Sequence, residues 1–273
     1  MHDLESELLD KEAFLLDMDG VIHIDGDPIE GSLEAFRMLK KNGKKVGFLT
    51  NNSTRTRGDY VEKFSEFGLD IKKSEVMTSA YATALRLKEL KGGNVCYIIG
   101  EEGLEKELKN AGFDLVSRKN ADKASYVVVG VDRDLTYEKV WGGLTSVLSG
   151  AKFIGTNPDP TYPTKEGLAP GAGASVGAVA GAVDKDPDEV IGKPSPYMLR
   201  SLIEAFDVSS EKAVIVGDKI GTDVIAGKEL GMTTVLLKSG VEDEKGIQEV
   251  EGTDKEPDFV FDNLEDLTRR VVE

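Results

Sequence analysis

The chain is expected to fold as an α/β protein built on a mostly parallel sheet with helices on both faces, and two observations predict this. Short apolar runs of strand length recur along the 273 residues, at 14–16, 46–49, 95–99, 126–131, 153–154, 190–191, 213–216, 235–237 and 259–261. Helical patterns lie between most of them. Strands that alternate with amphipathic helices make βαβ units, and such units build a parallel sheet covered on both sides.

The first run ends in "DMDGVIHIDGD", with Asp17 and Asp19 one residue apart and Gly20 directly after. The next segment, "GSLEAFRMLKKNG", carries Leu33, Phe36 and Leu39 at helical spacing and Gly43 as a stop, and "RGDYVEKFSEFG" repeats the device after the second run. Between them the second run ends in Thr50, Asn51 and Asn52. The interval from there to Lys193 is too long for one βα connection and holds strand runs of its own. It is read as a second α/β domain, residues 81–184, inserted into a core formed by 1–80 and 185–273. In the last third, "GKPSP" presents Lys193, and "VIVGDKIGTDVIAG" sets Asp218 at a strand end and Asp223 at the start of the following helix.

Composition excludes several classes of function. There are 34 Lys and Arg against 50 Asp and Glu, a formal net charge of −16, which repels nucleic acid phosphates and anionic membranes. No apolar run approaches the length of a membrane span, and "MHDLESELLDKE" has neither the basic start nor the apolar core of a signal peptide, so a soluble, cytoplasmic protein is expected. The one cysteine, Cys96, sits in an apolar run and reads as a buried structural residue. Histidine occurs only at His2 and His23, and without an HExxH or CxxC pairing a dedicated zinc site is not expected. His23 is read as structural.

Ligands of an open α/β sheet bind beyond the carboxyl ends of its strands, so the residues just after each strand carry the chemistry. On an extended backbone Asp17 and Asp19 point the same way. Two carboxylates there, or one carboxylate and a neighbouring carbonyl, suit a hard cation such as Mg²⁺, which takes one or two protein carboxylates and completes its shell with water and phosphate. An EF-hand loop starting at Asp17 fails, because it would need glycine at Ile22 and glutamate at Pro28. Thr50 and Asn51 supply a hydroxyl, an amide and backbone N–H groups that can bind phosphate oxygens. Lys193 adds an ammonium, Asp218 could complete a metal site, and Asp223 could ligate the ion or order its water. No P-loop is present, and "PGAGASVGAVAGAV" places Val176 where a dinucleotide fingerprint needs glycine, so that segment reads as a small-residue helix packed closely on a neighbour.

Taken in this order, "DMDGVIHID", "FLTNNS", "GKPSP" and "GDKIGTD" resemble the four motifs of the haloacid dehalogenase superfamily of phosphatases, from Asp17 to Asp223. The position of the inserted domain, and its segment "GTNPDPTYPTKEGLAPGAGA", are similar to the branch with a large α/β cap that contains 4-nitrophenylphosphatases, NagD-like proteins and phosphoglycolate phosphatases. The resemblance implies a Rossmann-like, doubly wound core with a cap that selects the substrate. It implies that Asp17 attacks phosphorus to form an aspartyl-phosphate and that Asp19 is the general acid and base. It further implies that Mg²⁺ is held by Asp17, the backbone carbonyl of Asp19 and Asp218, with Asp223 in support, and that Thr50, Asn51 and Lys193 bind the transferring phosphoryl group. Tyr162, in the cap loop around 159–163, would meet the leaving group. The expected substrates are small phosphomonoesters, such as phosphoglycolate, sugar or glycerol phosphates, nucleoside monophosphates or 4-nitrophenyl phosphate. A phosphotransferase or phosphomutase using the same intermediate, and a non-catalytic phosphometabolite-binding protein, remain as alternatives. Dehalogenation is disfavoured, since it needs neither the second aspartate nor the metal-binding acids. Capped relatives often dimerise through the cap, and a homodimer formed that way is the partner expectation beside the small substrate. Asp25 and Asp27 read as turn residues leading to Pro28.

Overall fold

The computed structural model describes residues 7–272 apart from Asp25, so His2, most of the acidic opening segment and Asp25 of the expected turn lie outside the described residues. The chain forms two compact units. One runs up to Thr50, resumes over Val61–Met77 and continues from Lys193 onward, and the other comprises Asn51–Tyr60 and Thr78–Gly192. The second unit is thus wider at both ends than 81–184 and includes a separate segment directly after Thr50.

In chain order the first unit opens with β1 (Ala13–Asp17), β2 (His23–Ile24), β3 (Asp27–Pro28), α1 (Ser32–Lys41) and β4 (Lys45–Thr50). Then come α2 (Arg57–Glu66) and β5 (Val76–Thr78). The second unit continues with α3 (Ser79–Leu90), β6 (Val95–Ile99), α4 (Glu102–Asn110), β7 (Asp114–Leu115), β8 (Tyr126–Val129), α5 (Tyr137–Leu148), β9 (Lys152–Gly155), β10 (Thr161–Thr164), β11 (Gly167–Pro170), α6 (Ala172–Val183) and β12 (Glu189–Val190). The first unit then closes with α7 (Tyr197–Phe206), β13 (Ala213–Gly217), α8 (Ile225–Glu229), β14 (Thr233–Leu237), α9 (Glu244–Glu249), β15 (Phe259–Phe261) and α10 (Leu264–Val272).

Among the described residues the first unit carries a six-stranded sheet in the order β15-β14-β13-β1-β4-β5. β1 pairs in parallel with both β4 and β13, and β13–β14 and β14–β15 are parallel too. The chain therefore builds outward from β1 on one side and returns to build on the other, the doubly wound arrangement. Its switch point lies between β1 and β13, where the two following connections part and leave a crevice beyond the strand ends. That crevice receives the residues after β1 and β13. Ala13, Phe14, Leu15 and Leu16 are fully buried, as a central strand covered on both faces requires. An aromatic stack fills one side: the ring of Phe48 on β4 lies 4.5 Å from that of Phe64 on α2 and 5.4 Å from that of Phe36 on α1.

The second unit has its own five-stranded sheet, in the order β12-β9-β8-β6-β7, in which every pair is parallel. Phe153, Val127, Val129 and Ile99 form its core with Val176 and Val179 of α6. The helix α6 is the small-residue helix expected from "GAGASVGAVAGAV". It approaches α5 closely enough that a Cβ at Gly143 would stand 3.2 Å from Val179.

Three differences from the sequence reading concern short elements. Asp27 is part of a two-residue antiparallel ladder with His23 and Ile24 and so is not merely a turn residue. The segment around Tyr162 is not an open loop, because Thr161–Thr164 pairs antiparallel with Gly167–Pro170. β5 is a fully buried core strand of three residues. None of these has an apolar run long enough to signal a strand.

Two outcomes follow from this packing. Phe48→Ala, which removes the middle ring of the stack, is expected to cost about 3–5 kcal/mol in denaturant unfolding followed by near-ultraviolet dichroism. Cys96 is buried, and burial pushes its thiol up to about 12. An aromatic disulfide reagent at pH 8 is therefore expected to leave the native chain unmodified and to titrate one thiol per chain after denaturation.

Candidate active site

Three strand ends of the first unit meet in the crevice. Asp17 closes β1, and its Oδ1 accepts a hydrogen bond from the Met18 backbone N–H at 2.8 Å, which fixes the carboxylate. Lys193, where the chain re-enters the first unit, is 2 % exposed and stands between two carboxylates, with Nζ 2.8 Å from Asp17 Oδ2 and 2.6 Å from Asp223 Oδ1. The Lys193–Pro194 peptide is cis. Asp223 is itself only 1 % exposed, and its second oxygen accepts from the Thr222 hydroxyl at 3.2 Å. It lies in a single π-helical turn, Ile220–Val224, that precedes α8 rather than in an ordinary helix start. Such turns place a side chain where a regular helix would not.

Asp218 directly follows β13 and accepts from the Val241 N–H at 3.0 Å. Gly20 makes room for it: a Cβ at Gly20, whose φ is +77°, would fall 2.2 Å from Asp218 Oδ2. The glycine of the first motif is thus required twice, by its left-handed backbone and by the close approach of a carboxylate. The loop after β14 closes the same region, with the Ser239 hydroxyl donating to the Gly20 carbonyl at 2.8 Å. Sequence reading missed Ser239 and the Val241 backbone, although the rule of inspecting residues just after each strand, applied to 235–237, would have reached them.

The electrostatics follow from burial. Burial pushes the Asp17 carboxyl well above its ordinary range; Lys193 opposes the shift, and Asp223 and Asp218 add to it. Asp218 is pushed up to about 7, again by burial first and then by Asp223. Burial alone would lower the Lys193 ammonium, but Asp17 and Asp223 reverse this and hold it above the usual lysine range. One ammonium thus faces three carboxylates. Asp17, Asp218 and Asp223 each bring an oxygen within 4.8 Å of the others. The donor set is all oxygen and carries surplus negative charge, which fits a small hard divalent cation.

The other expected residues divide. Thr50 ends β4 and is buried. Asn51 falls in the second unit, where its Nδ2 donates to Asp159 Oδ2 at 2.7 Å and Asn157 Nδ2 donates to the same oxygen at 2.8 Å. The sequence reading named Asp159 only as part of a loop. Tyr162 sits half-buried on β10. Asp19 stands outside the buried group, with its side chain 58 % exposed.

The chain is similar to known proteins over most of its length. Residues 14–114 match the family model described as haloacid dehalogenase-like hydrolase, and residues 190–267 match a second, HAD-hydrolase-like model. An acid sugar phosphatase of Staphylococcus aureus is 35% identical over 253 residues, 93% of this chain and 95% of that protein. The solved structure of a p-nitrophenyl phosphatase from Archaeoglobus fulgidus superposes with a TM-score of 0.89 at 36% identity, covering 95% of this chain and 99% of the other. A glycerol phosphate phosphatase from Mycobacterium tuberculosis, solved in complex with magnesium, gives 0.86 at 27% identity over 96% of this chain and 77% of its own.

Lys193→Met leaves Asp17 and Asp223 buried without their counter-charge. In chelator this variant is expected to lose about 3–5 kcal/mol in urea unfolding, the usual cost of removing one partner from a buried ion pair.

Proposed function

The chain belongs to the haloacid dehalogenase-like hydrolases, and we propose that it is a Mg²⁺-dependent phosphatase of small phosphomonoesters such as sugar, glycerol and aryl phosphates. The observation that carries the reading is the buried group of Asp17, Asp218 and Asp223 around the Lys193 ammonium at the switch point of the sheet. The names of the relatives, an acid sugar phosphatase, a p-nitrophenyl phosphatase and a glycerol phosphate phosphatase, support the substrate class. In the scheme proposed, Asp17, Asp218 and the Asp19 carbonyl would hold the cation, with Asp223 in support. Bound there, Mg²⁺ would supply positive charge against the phosphoryl oxygens, which phosphoryl transfer asks of a protein above all else.

The remaining roles belong to the chain's own groups. Asp17, held by the Met18 N–H, attacks phosphorus; an Asp17 oxygen–phosphorus bond forms as the bond to the leaving oxygen breaks, and Asp19 passes its proton to that oxygen. Water then attacks the aspartyl-phosphate and gives a proton to Asp19, and cleavage of the phosphorus–Asp17 bond releases inorganic phosphate. Lys193 and the Thr50 hydroxyl bind the oxygens of the group in flight. Asn51, fixed by Asp159, is assigned to the same task. The second unit, as a cap, would exclude water and select the leaving group, with Tyr162 contacting it.

Hydrolysis of 4-nitrophenyl phosphate and a panel of small esters tests the proposal. Activity is expected with Mg²⁺, to vanish in chelator and to return on adding the ion. Asp17→Asn is expected to reduce turnover to background while leaving the dichroism spectrum unchanged, and retained turnover in that variant would overturn the nucleophile assignment.

A further inference from the structure

His23 is one of the most buried polar residues of the first unit, 3 % exposed, and lies four residues past the proposed acid. The backbone holds it there by several links. Its N–H donates to the Met18 carbonyl at 3.1 Å, its carbonyl accepts from the Gly20 N–H at 2.9 Å, and residues 19 and 23 form a β-bridge. The imidazole therefore has a fixed position relative to Asp19. Nδ1 lies 3.3 Å from Asp19 Oδ1, and Nε2 lies 3.1 Å from Nζ of Lys63, which projects from α2.

The chemistry of these neighbours assigns the protons. A lysine ammonium has donors and no acceptor, so the nitrogen it faces must present a lone pair. Nε2 is that nitrogen, and a neutral imidazole then carries its hydrogen on Nδ1, directed at the Asp19 carboxylate. At 3.3 Å the two atoms are within reach, but the Nδ1–H is not aligned on the oxygen and the pair is not a hydrogen bond as it stands. Asp19 is the exposed partner while His23 is packed beside Phe64, so it is the aspartate whose rotation would bring an oxygen into line with the Nδ1–H. Contacts of this kind commonly tighten only when substrate is bound.

We infer that His23, with its tautomer set by Lys63, is a positioning residue that holds the Asp19 carboxyl toward the leaving oxygen through an Nδ1–H donor. This role rests on Asp19 being the general acid of the reaction proposed above. It goes beyond that reading because the first motif of the sequence contains neither residue's function: His23 looks structural there, and Lys63 is one lysine of an amphipathic helix. Asp19 uses one oxygen to accept from His23, which leaves the other to carry the proton and give it to the departing oxygen. Without the donor, an exposed side chain would sample several rotamers, and only some of them would reach the substrate.

The role is separable from a structural one by the leaving group. 4-Nitrophenolate departs from phosphorus without needing a proton at neutral pH, whereas phenolate, of nearly the same shape, is a poorer leaving group and gains more from an acid. The experiment measures kcat/KM, which reports the leaving-group step and not the later hydrolysis common to both esters, for phenyl phosphate and for 4-nitrophenyl phosphate in the same preparation, with Mg²⁺, for wild type, His23→Phe, which keeps a ring without the donor, and His23→Asn, whose amide can restore a donor near the Nδ1 position. The ratio of the two rates is independent of the fraction of protein folded. We expect His23→Phe to lower the ratio by roughly 10-fold, a part of the 10²–10⁴ that a positioned acid contributes, and His23→Asn to recover much of it. A parallel fall on both esters, or an Asn variant whose ratio is as low as that of Phe, overturns the inference. Should His23→Phe fail to fold, Lys63→Met at the half-buried helix position carries the test: loss of its control over the tautomer is expected to shift the ratio in the same direction, and an unchanged ratio overturns the assignment. Failure of the underlying reading shows separately, as turnover of either ester by Asp17→Asn.

Discussion

The site depends on burying one lysine between two aspartates. An ammonium removed from water costs several kcal/mol unless it is paired and hydrogen-bonded, and a carboxylate removed from water costs no less. Lys193, Asp17 and Asp223 solve this jointly, with contacts of 2.8 and 2.6 Å and almost no exposure of the lysine. The sheet order brings Asp17 and Asp223 to one edge, since β1 and β13 are neighbours although 195 residues lie between Asp17 at the end of one and Ala213 at the start of the other.

Three strand ends carry most of what could be read from the sequence. Asp17, Thr50, Lys193, Asp218 and Asp223 were accessible to a reader because parallel strands announce themselves as apolar runs, and the residues after them must lie at one edge. What escaped has a different physical origin. Val241 meets Asp218 through its backbone N–H, and a backbone group is chemically the same in every residue. Asp159 reaches Asn51 across a sequence separation of 108, within a loop whose own residues give no sign of it. The strands Asp27–Pro28 and Thr161–Thr164 are short or half-exposed, so the burial that marks a strand in the sequence is missing. His23 escaped for the opposite reason: burial hides a functional contact as readily as it signals a structural one.

The charge of the whole chain sharpens the demand on the site. A formal charge of −16 repels a phosphate ester at long range, although salt limits that repulsion to about 8 Å under physiological conditions. Within the crevice the acids outnumber the ammonium as well. Anion binding at this place therefore needs more positive charge than Lys193 provides, and the all-oxygen donor set is the means by which a divalent cation would bring it.

Differing exposure assigns different tasks to two aspartates of one motif. Asp17, its side chain 13 % exposed, is largely withdrawn from water, and this together with Asp223 and Asp218 pushes its carboxyl toward the neutral form. Lys193 works against this, and a cation held between Asp17 and Asp218 would favour the ionised form further. Asp19 lies two residues on and more than half exposed, away from that cluster. It needs an oriented side chain far more than it needs a shared cation, because an acid must present its proton along one direction. A buried imidazole whose proton position is set from behind by Lys63 supplies orientation without adding a formal charge beside the reacting phosphate. One motif thus separates nucleophile from acid by burying the first in a charged cluster and leaving the second at the surface against a neutral donor.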